Sequence, residues 1–271
     1  MDQNLEQKAR KIRLDVLKML YGCQSGHPGG SLSCVEILQA LYENVMQYDP
    51  KNPRWADRDR FVMSKGHACP TLYAFLADKG FFPREELWNL RQYGSFLQGH
   101  PDMNKCPGVD ASTGSLGQGT SWALGYALAG KRQGKAGGRE FKVYCLTGDG
   151  ESQEGMVWES AMAAAHYKLD NLVVLLDHNG LQIDGSNDQV MSIGDICKKY
   201  EAFGWEVISV DGHDTNAITE ACKRPSAGKP RFICCNTVKG KGVSFMENQV
   251  GWHGKPMNQE QYEAACRELE V

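Results

Sequence analysis

Apolar positions along this chain follow two periods. Over residues 4–21, Leu5, Ala9, Ile12, Val16, Met19 and Leu20 recur at helical spacing, which predicts an amphipathic opening helix that ends near Gly22. Five short apolar runs, at 59–63, 142–147, 171–176, 205–210 and 231–237, read as strands. Segments 34–45, 70–79, 83–91, 121–131, 158–168, 193–203 and 214–223 carry helical patterns, with Ser31 or Ser33 as the cap of the first. Strands alternating with helices predict an α/β fold, a doubly wound, mainly parallel sheet flanked by helices. Residues 98–119 are rich in Gly, Pro and small polar residues, and a loop of that length is usually functional or disordered. Its contents favour function.

Composition narrows the field. The 271 residues, 41% of them apolar, suffice for a substantial core and fit one domain over 1–271. A net charge of -3 gives no basic footprint for nucleic acid, although a phosphate-bearing small molecule needs only a few local cations. The ten cysteines show no CxxC pair and no zinc spacing, and several lie in apolar runs where a reduced thiol packs as a small hydrophobe. A cytoplasmic protein is expected. Residues 1–20 do not resemble a signal sequence, and no run approaches the ~20 apolar residues of a membrane span, so a soluble chain without membrane partners is expected.

The chemistry concentrates at strand ends. Gly148-Asp149-Gly150 follows the second strand, and Asp177 and Asn179 follow the third, about thirty residues on, the length of one βαβ crossover. Right-handed crossovers bring such ends together at the edge where open α/β sheets bind ligands. Magnesium takes six hard oxygens, few of them protein carboxylates, so Asp149, the Asn179 side chain, a backbone carbonyl near Leu181 and two diphosphate oxygens would satisfy it. The glycines beside Asp149 would let backbone amides approach the phosphates. His27, His67, His100 and His253 all sit beside Gly or Pro in predicted loops, which suits a polyhydroxylated substrate undergoing proton transfers. The glycine loop 114–119 precedes a helix whose free N-terminal amides suit an anion. Glu154 and Glu159 open the next helix, where a catalytic or interface role and simple service to the helix dipole are both open.

Taken in order, Gly26-His27-Pro28-Gly29-Gly30, Ser64-Lys65-Gly66-His67, Gly99-His100-Pro101, Gly114-Ser115-Leu116-Gly117-Gln118-Gly119, the Gly148-Asp149-Gly150 to Asn179 segment and His253-Gly254 resemble the thiamine diphosphate enzymes and, among them, the transketolases. The resemblance implies thiamine diphosphate and Mg²⁺ as cofactors. Asp149, Asn179 and the Leu181 carbonyl would hold the metal, with Gly150, His67 and His253 beside the diphosphate. Gly114, Ser115 and Leu116 would meet the cofactor, the Leu116 backbone at its aminopyrimidine. His27, His100 and His253 would contact the sugar and assist proton transfer. Glu154 resembles the acidic residue that links two cofactor sites across a dimer interface.

The resemblance also implies a length more than twice this one for a full transketolase, with the glutamate that activates the aminopyrimidine on a further domain expected outside residues 1–271. The resemblance therefore implies the N-terminal subunit of a split transketolase. A C-terminal partner would supply the pyrimidine-binding and C-terminal domains in an α₂β₂ heterotetramer. The pair would move a two-carbon ketol unit from a ketose phosphate to an aldose phosphate, as in the pentose phosphate pathway. Other readings are a ketol transferase for a modified sugar, a truncated longer enzyme and a non-catalytic thiamine diphosphate-binding subunit.

Overall fold

The computed structural model describes residues 3–226 and 228–270. Five strands, β1 (Arg60–Met63), β2 (Val143–Gly148), β3 (Leu172–His178), β4 (Glu206–Asp211) and β5 (Arg231–Asn236), form one sheet in the order β1-β2-β3-β5-β4, every neighbouring pair parallel. Alternate residues enter two separate cores. Tyr144, Leu146, Val173, Leu175, Ile233 and Cys235 face one, and Val143, Cys145, Val174, Leu176, Phe232 and Cys234 face the other. A strand covered on both faces has no polar side, which is why these runs read as continuous apolar stretches in the sequence.

Helices α1 (Gln3–Cys23), α2 (Pro28–Leu32), α3 (Val35–Gln39) and α4 (Cys69–Asp78) contribute Ile12, Val16, Leu32, Ile37, Leu38, Leu72 and Phe75 to the first core. On the second face, α5 (Gln118–Lys135) and α6 (Gly155–His166) present Ala123, Ala127, Val157, Ala161 and Ala164. The single turn α7 (Asn187–Val190) precedes α8 (Ile196–Ala202), which adds Ile196 and Tyr200 to that face. Helix α9 (Thr215–Lys223), capped by the Asp214 carboxylate, returns to the first face with Ile218, Ala221 and Cys222. The doubly wound expectation holds, with a sheet that is parallel throughout.

Three local expectations are corrected, and one element is added. Ser31 and Ser33 do not cap the helix at 34: the Ser31 hydroxyl donates to the His27 carbonyl at 2.8 Å, and the Ser33 hydroxyl donates to Asp177 Oδ2 at 2.5 Å. The predicted helix 34–45 is a short α-turn that widens into a π-helix over Ala40–Val45. Segment 83–91 tightens into a 3₁₀ helix, Arg84–Asn89. A closing helix, α10 (Gln259–Leu269), also went unpredicted, although Asn258 and Gln261 form a capping box and Ala265 and Leu269 are buried four apart. It packs on α1, where Tyr21 and Tyr262 stack with centroids 4.3 Å apart. No helix among the described residues is long and apolar enough to cross a membrane.

Candidate functional site

The register of β2 and β3 builds the centre of the site. Gly148 pairs with Asp177, so the residues that follow, Asp149 and His178, emerge side by side at the carboxyl edge. Asp149 is 3% exposed, its Oδ1 lies 2.6 Å from His178 Nδ1, and its Oδ2 accepts the Gly180 N–H at 2.6 Å. The neighbouring Asn179 accepts the Leu181 N–H through Oδ1 at 3.2 Å and donates through Nδ2 to Asp177 at 3.3 Å. Gly180 makes this turn with φ +75°, a left-handed conformation that glycine adopts without strain. The two strand tips predicted to meet do meet.

A cleft of about 380 Å³ opens at these tips, and Asp149, Gly150, Glu154, Asn179 and Leu181 line it. So do His27, His67, His100, Gly114, Leu116 and His253, from five other segments. Ser115 lies outside this lining and is exposed. The imidazole of His27 is the hub: its ring centroid lies 5.1 Å from His67, 5.4 Å from His253 and 6.5 Å from His100. The His27 Nδ1 atom is buried without a hydrogen-bond partner among the described residues. A buried polar atom of that kind marks a place where a ligand group can be received.

Beneath the histidines lies a buried ion pair. Asp177 is fully buried and binds the Lys65 ammonium, the Thr237 hydroxyl and the Ser33 hydroxyl, while Lys65 also donates to the Gly30 carbonyl at 2.9 Å. Burial opposes both charges, but each partner's field outweighs it: the Asp177 carboxyl is held below its usual range and the Lys65 ammonium above its own. The pair is internally neutral.

Lys239 is different. It is 2% exposed, its Nζ lies 2.9 Å from His253 Nδ1, and it forms no ion pair with a carboxylate among the described residues. Burial, reinforced by the Lys65 charge, lowers it to about 8. An uncompensated ammonium in a cleft is a binding element for an anion. The sequence signal was there, since Lys239-Gly240-Lys241-Gly242 follows β5 at the same carboxyl edge.

Two further groups escaped the sequence reading. Glu151 is buried, accepts the Gly117 N–H at 2.8 Å and the Gly148 N–H at 3.2 Å, and hydrogen-bonds the Ser64 hydroxyl. Burial raises its carboxyl despite these bonds. The expectation that the start of α5 offers free amides to a ligand is corrected at Gly117, whose N–H is taken by Glu151. Arg91, whose charge acts on His27 and His100, adopts φ +60° and donates to the Gly99 carbonyl at 3.2 Å. A Cβ on Gly99 would fall 2.5 Å from that guanidinium. His100 packs on Gly114 in the same way, with its ring 3.0 Å from where a Cβ would stand.

The donor set fits a metal diphosphate. One carboxylate, one amide and a nearby backbone carbonyl are hard oxygen donors of the kind magnesium takes, and Lys239 would add a cation for phosphates. The protein itself leaves room for side chains at Gly148 and Gly150, where a Cβ would meet its nearest neighbours only at 3.8 Å and 3.4 Å. What a side chain at Gly150 would obstruct is the cleft.

The histidine cluster also sets an acid limit. Burial, then the charges of Arg91, His100, Lys239 and Lys65, lower His27 from an ordinary 6.5 to about 4, and burial with Lys239 lowers His253 to about 3. Burial lowers His67 and His100 too. Folded values below the unfolded ones mean that the unfolded chain binds protons first as the pH falls, so the stability is complete above the unfolded value. His178 works oppositely, since its hydrogen bond to Asp149 raises it, but it is one group against four. The thermal midpoint of the chain is therefore expected to fall progressively between about pH 6.5 and 4. A midpoint that stays level or rises across that window would contradict the burial of neutral imidazoles.

A family model described as transketolase, thiamine diphosphate binding domain, matches residues 4–270. A 6-deoxy-6-sulfo-D-fructose transketolase subunit from Clostridium sp. (strain MSTE9) is 44% identical over 269 residues, covering 98% of this chain and 96% of its own. An apulose-4-phosphate transketolase subunit from Phocaeicola vulgatus is 42% identical over 269 residues, covering 98% and 94%. The crystal structure of the transketolase from Campylobacter jejuni superposes with a TM-score of 0.93 at 35% identity; it covers all of this chain, which spans 43% of that longer one. With the parallel sheet, the paired strand tips and the histidine-lined cleft in place, these matches settle the family: the chain belongs to the transketolases, as their thiamine diphosphate-binding domain.

Proposed function

We propose that this chain is the diphosphate-binding subunit of a two-chain transketolase. The observation that carries this reading is the cleft itself, where an uncompensated Lys239 ammonium and the Asp149–Asn179 pair line the same cavity as four histidines. Asp149, Asn179 and the Leu181 carbonyl would hold Mg²⁺. The dication and Lys239 outweigh the Asp149 charge, so together with His67, His253 and the Gly150 amide they would anchor a diphosphate. Gly114, Ser115 and Leu116 would border the aminopyrimidine. When bound, thiamine diphosphate supplies a thiazolium carbon that serves as nucleophile and electron sink for the ketol unit.

His27, His100 and His253 would orient the sugar and move its hydroxyl protons. Their low pKa values keep them neutral near pH 7, able to accept at one ring nitrogen and donate at the other. The residues 1–271 form a single diphosphate-binding domain in this reading. A second polypeptide supplies the pyrimidine-binding and C-terminal domains in an α₂β₂ assembly. The two relatives of similar length described above are subunits by name, and the Campylobacter jejuni transketolase is more than twice as long. Glu154 is exposed at the cleft mouth and Ile183, 64% exposed, lines the same rim, as expected where a partner closes over the cofactor. The ten cysteines are all free thiols, which supports a cytoplasmic location.

Reconstitution tests this reading. The chain, its partner (sought in the adjacent reading frame), Mg²⁺ and thiamine diphosphate are expected to transfer ketol units only when all are combined, and comparable activity from the chain alone would refute the split. The donor is the finer question. One relative is named for a sulfonated ketose and another for apulose 4-phosphate, which favours, as a second reading, a modified anionic sugar over a common ketose phosphate. A donor and acceptor screen of the reconstituted pair separates the two.

A further inference from the structure

The segment that carries Lys239 into the cleft is held on both sides by a network that never enters it. Val238 donates its N–H to Nε2 of His213 at 2.8 Å. A backbone N–H can only donate, so that ring nitrogen accepts, and the proton of the neutral imidazole sits on Nδ1. There it meets Glu36 Oε2 at 2.9 Å. Arg13 grips the same carboxylate through two parallel bonds, Nη1 to Oε1 at 2.7 Å and Nη2 to Oε2 at 2.8 Å, and its Nε donates to the Lys241 carbonyl at 2.9 Å. The path thus leaves the backbone at Val238 and rejoins it at Lys241, with Lys239 between.

Several features make this a clamp rather than a chance contact. Glu36 is buried, which works against its charge, yet the Arg13 charge and the hydrogen bonds from His213 and Arg13 hold it at about 2. The bidentate Arg–carboxylate pair is the most directional of the ionic hydrogen bonds. Gly240 turns with φ +78° and donates to the Gly29 carbonyl at 3.0 Å, which ties the same segment to α2, the helix that His27 precedes. A Cβ on Gly29 would come within 3.0 Å of Lys239 Cγ, so the lysine stem runs along a groove with little room to move. Behind the network lies a second cavity of about 840 Å³, with Arg13, Glu36, His213, Val238 and Lys241 in its wall. The three clamp side chains line this cavity and not the cleft.

We infer that His213, Glu36 and Arg13 are positioning residues for Lys239, fixing the backbone on either side of it so that its ammonium is presented to a diphosphate in the cleft. None of the three lines the cleft. The inference rests on the assignment of Lys239 to the diphosphate made above. A flexible lysine would lose side-chain freedom on meeting an anion, and a stem already confined has less to lose.

Two amide substitutions separate positioning from mere support of the fold. In His213→Asn the side chain keeps a donor for Glu36 but falls short of Val238; in His213→Gln the amide oxygen reaches the place of Nε2 and keeps an acceptor for the Val238 N–H. Titration of the full chain with inorganic diphosphate and Mg²⁺ is expected to show about tenfold weaker binding for His213→Asn and near wild-type binding for His213→Gln. Amide exchange at Val238 should accelerate in the first and not in the second. Combining His213→Asn with Lys239→Met should cost little beyond Lys239→Met alone, because a clamp matters only through what it holds. Equal affinities for both His213 variants, or losses that simply add, would overturn the inference while leaving the diphosphate site intact. Failure of the wild-type chain to bind diphosphate would instead refute the assignment of Lys239, and the inference with it.

Discussion

Asp149→Asn is expected to weaken thiamine diphosphate binding at limiting magnesium by on the order of a hundredfold or more, since the amide removes the one negative charge that partly neutralises the metal. The substitution preserves shape. Asparagine can still accept the Gly180 N–H that Asp149 accepts at 2.6 Å, and it can donate to a neutral His178 where the carboxylate now favours the protonated ring. Folding stability should therefore change by no more than about 1 kcal/mol, so the loss of binding can be read as a loss at the site. Calorimetric titration of the reconstituted pair with cofactor at several magnesium concentrations measures it. Affinity equal to wild type at low magnesium would show that the metal is held elsewhere.

Lys65→Met should strike the fold itself. Asp177 is fully buried and Lys65 is its cation. Methionine fills much of the volume but leaves the carboxylate with only neutral donors, the Ser33 and Thr237 hydroxyls and the Asn179 amide. Breaking a buried pair from one side typically costs about 3–5 kcal/mol, a large part of the stability of most domains. The pH dependence identifies the cause. In the wild type the Lys65 field, against the opposing effect of burial, keeps the Asp177 carboxyl below its usual range. Without that field burial raises it, so the variant should recover part of its deficit as the solution is made acidic and Asp177 takes up a proton. Urea unfolding across a range of pH measures this. A deficit under about 1 kcal/mol, or one independent of pH, would show that the pair is not the support described.

How far the sequence announced these arrangements depends on the length scale of the force involved. The strands were legible because each inner strand is apolar on both faces, and the meeting of Asp149 with Asn179 followed from the handedness and length of one crossover. The four histidines were legible as turn residues, and their convergence on His27 confirms that their loops open on one cleft. What stayed hidden depended on packing between distant segments. Lys239 lies 62 residues beyond Asp177, and only the folded chain shows that Lys65, 112 residues before Asp177, satisfies that carboxylate and leaves Lys239 without one. Nothing in the pattern around Glu151 marks it, yet its side chain is drawn inward to take the amide that opens α5. Helix α10 was missed although its capping box was present, since only the stacking of Tyr262 on Tyr21 and the burial of Ala265 and Leu269 show what it packs against.

Manganese, which accepts the same oxygen donors as magnesium and scatters anomalously, tests the central claim most directly. Crystals of the chain with its partner, Mn²⁺ and thiamine diphosphate are predicted to show one anomalous peak between the Asp149 carboxylate and the Asn179 side chain, with the diphosphate on the metal and the Lys239 ammonium against its oxygens. A peak and a diphosphate bound away from positions 149, 179 and 239 would contradict the account.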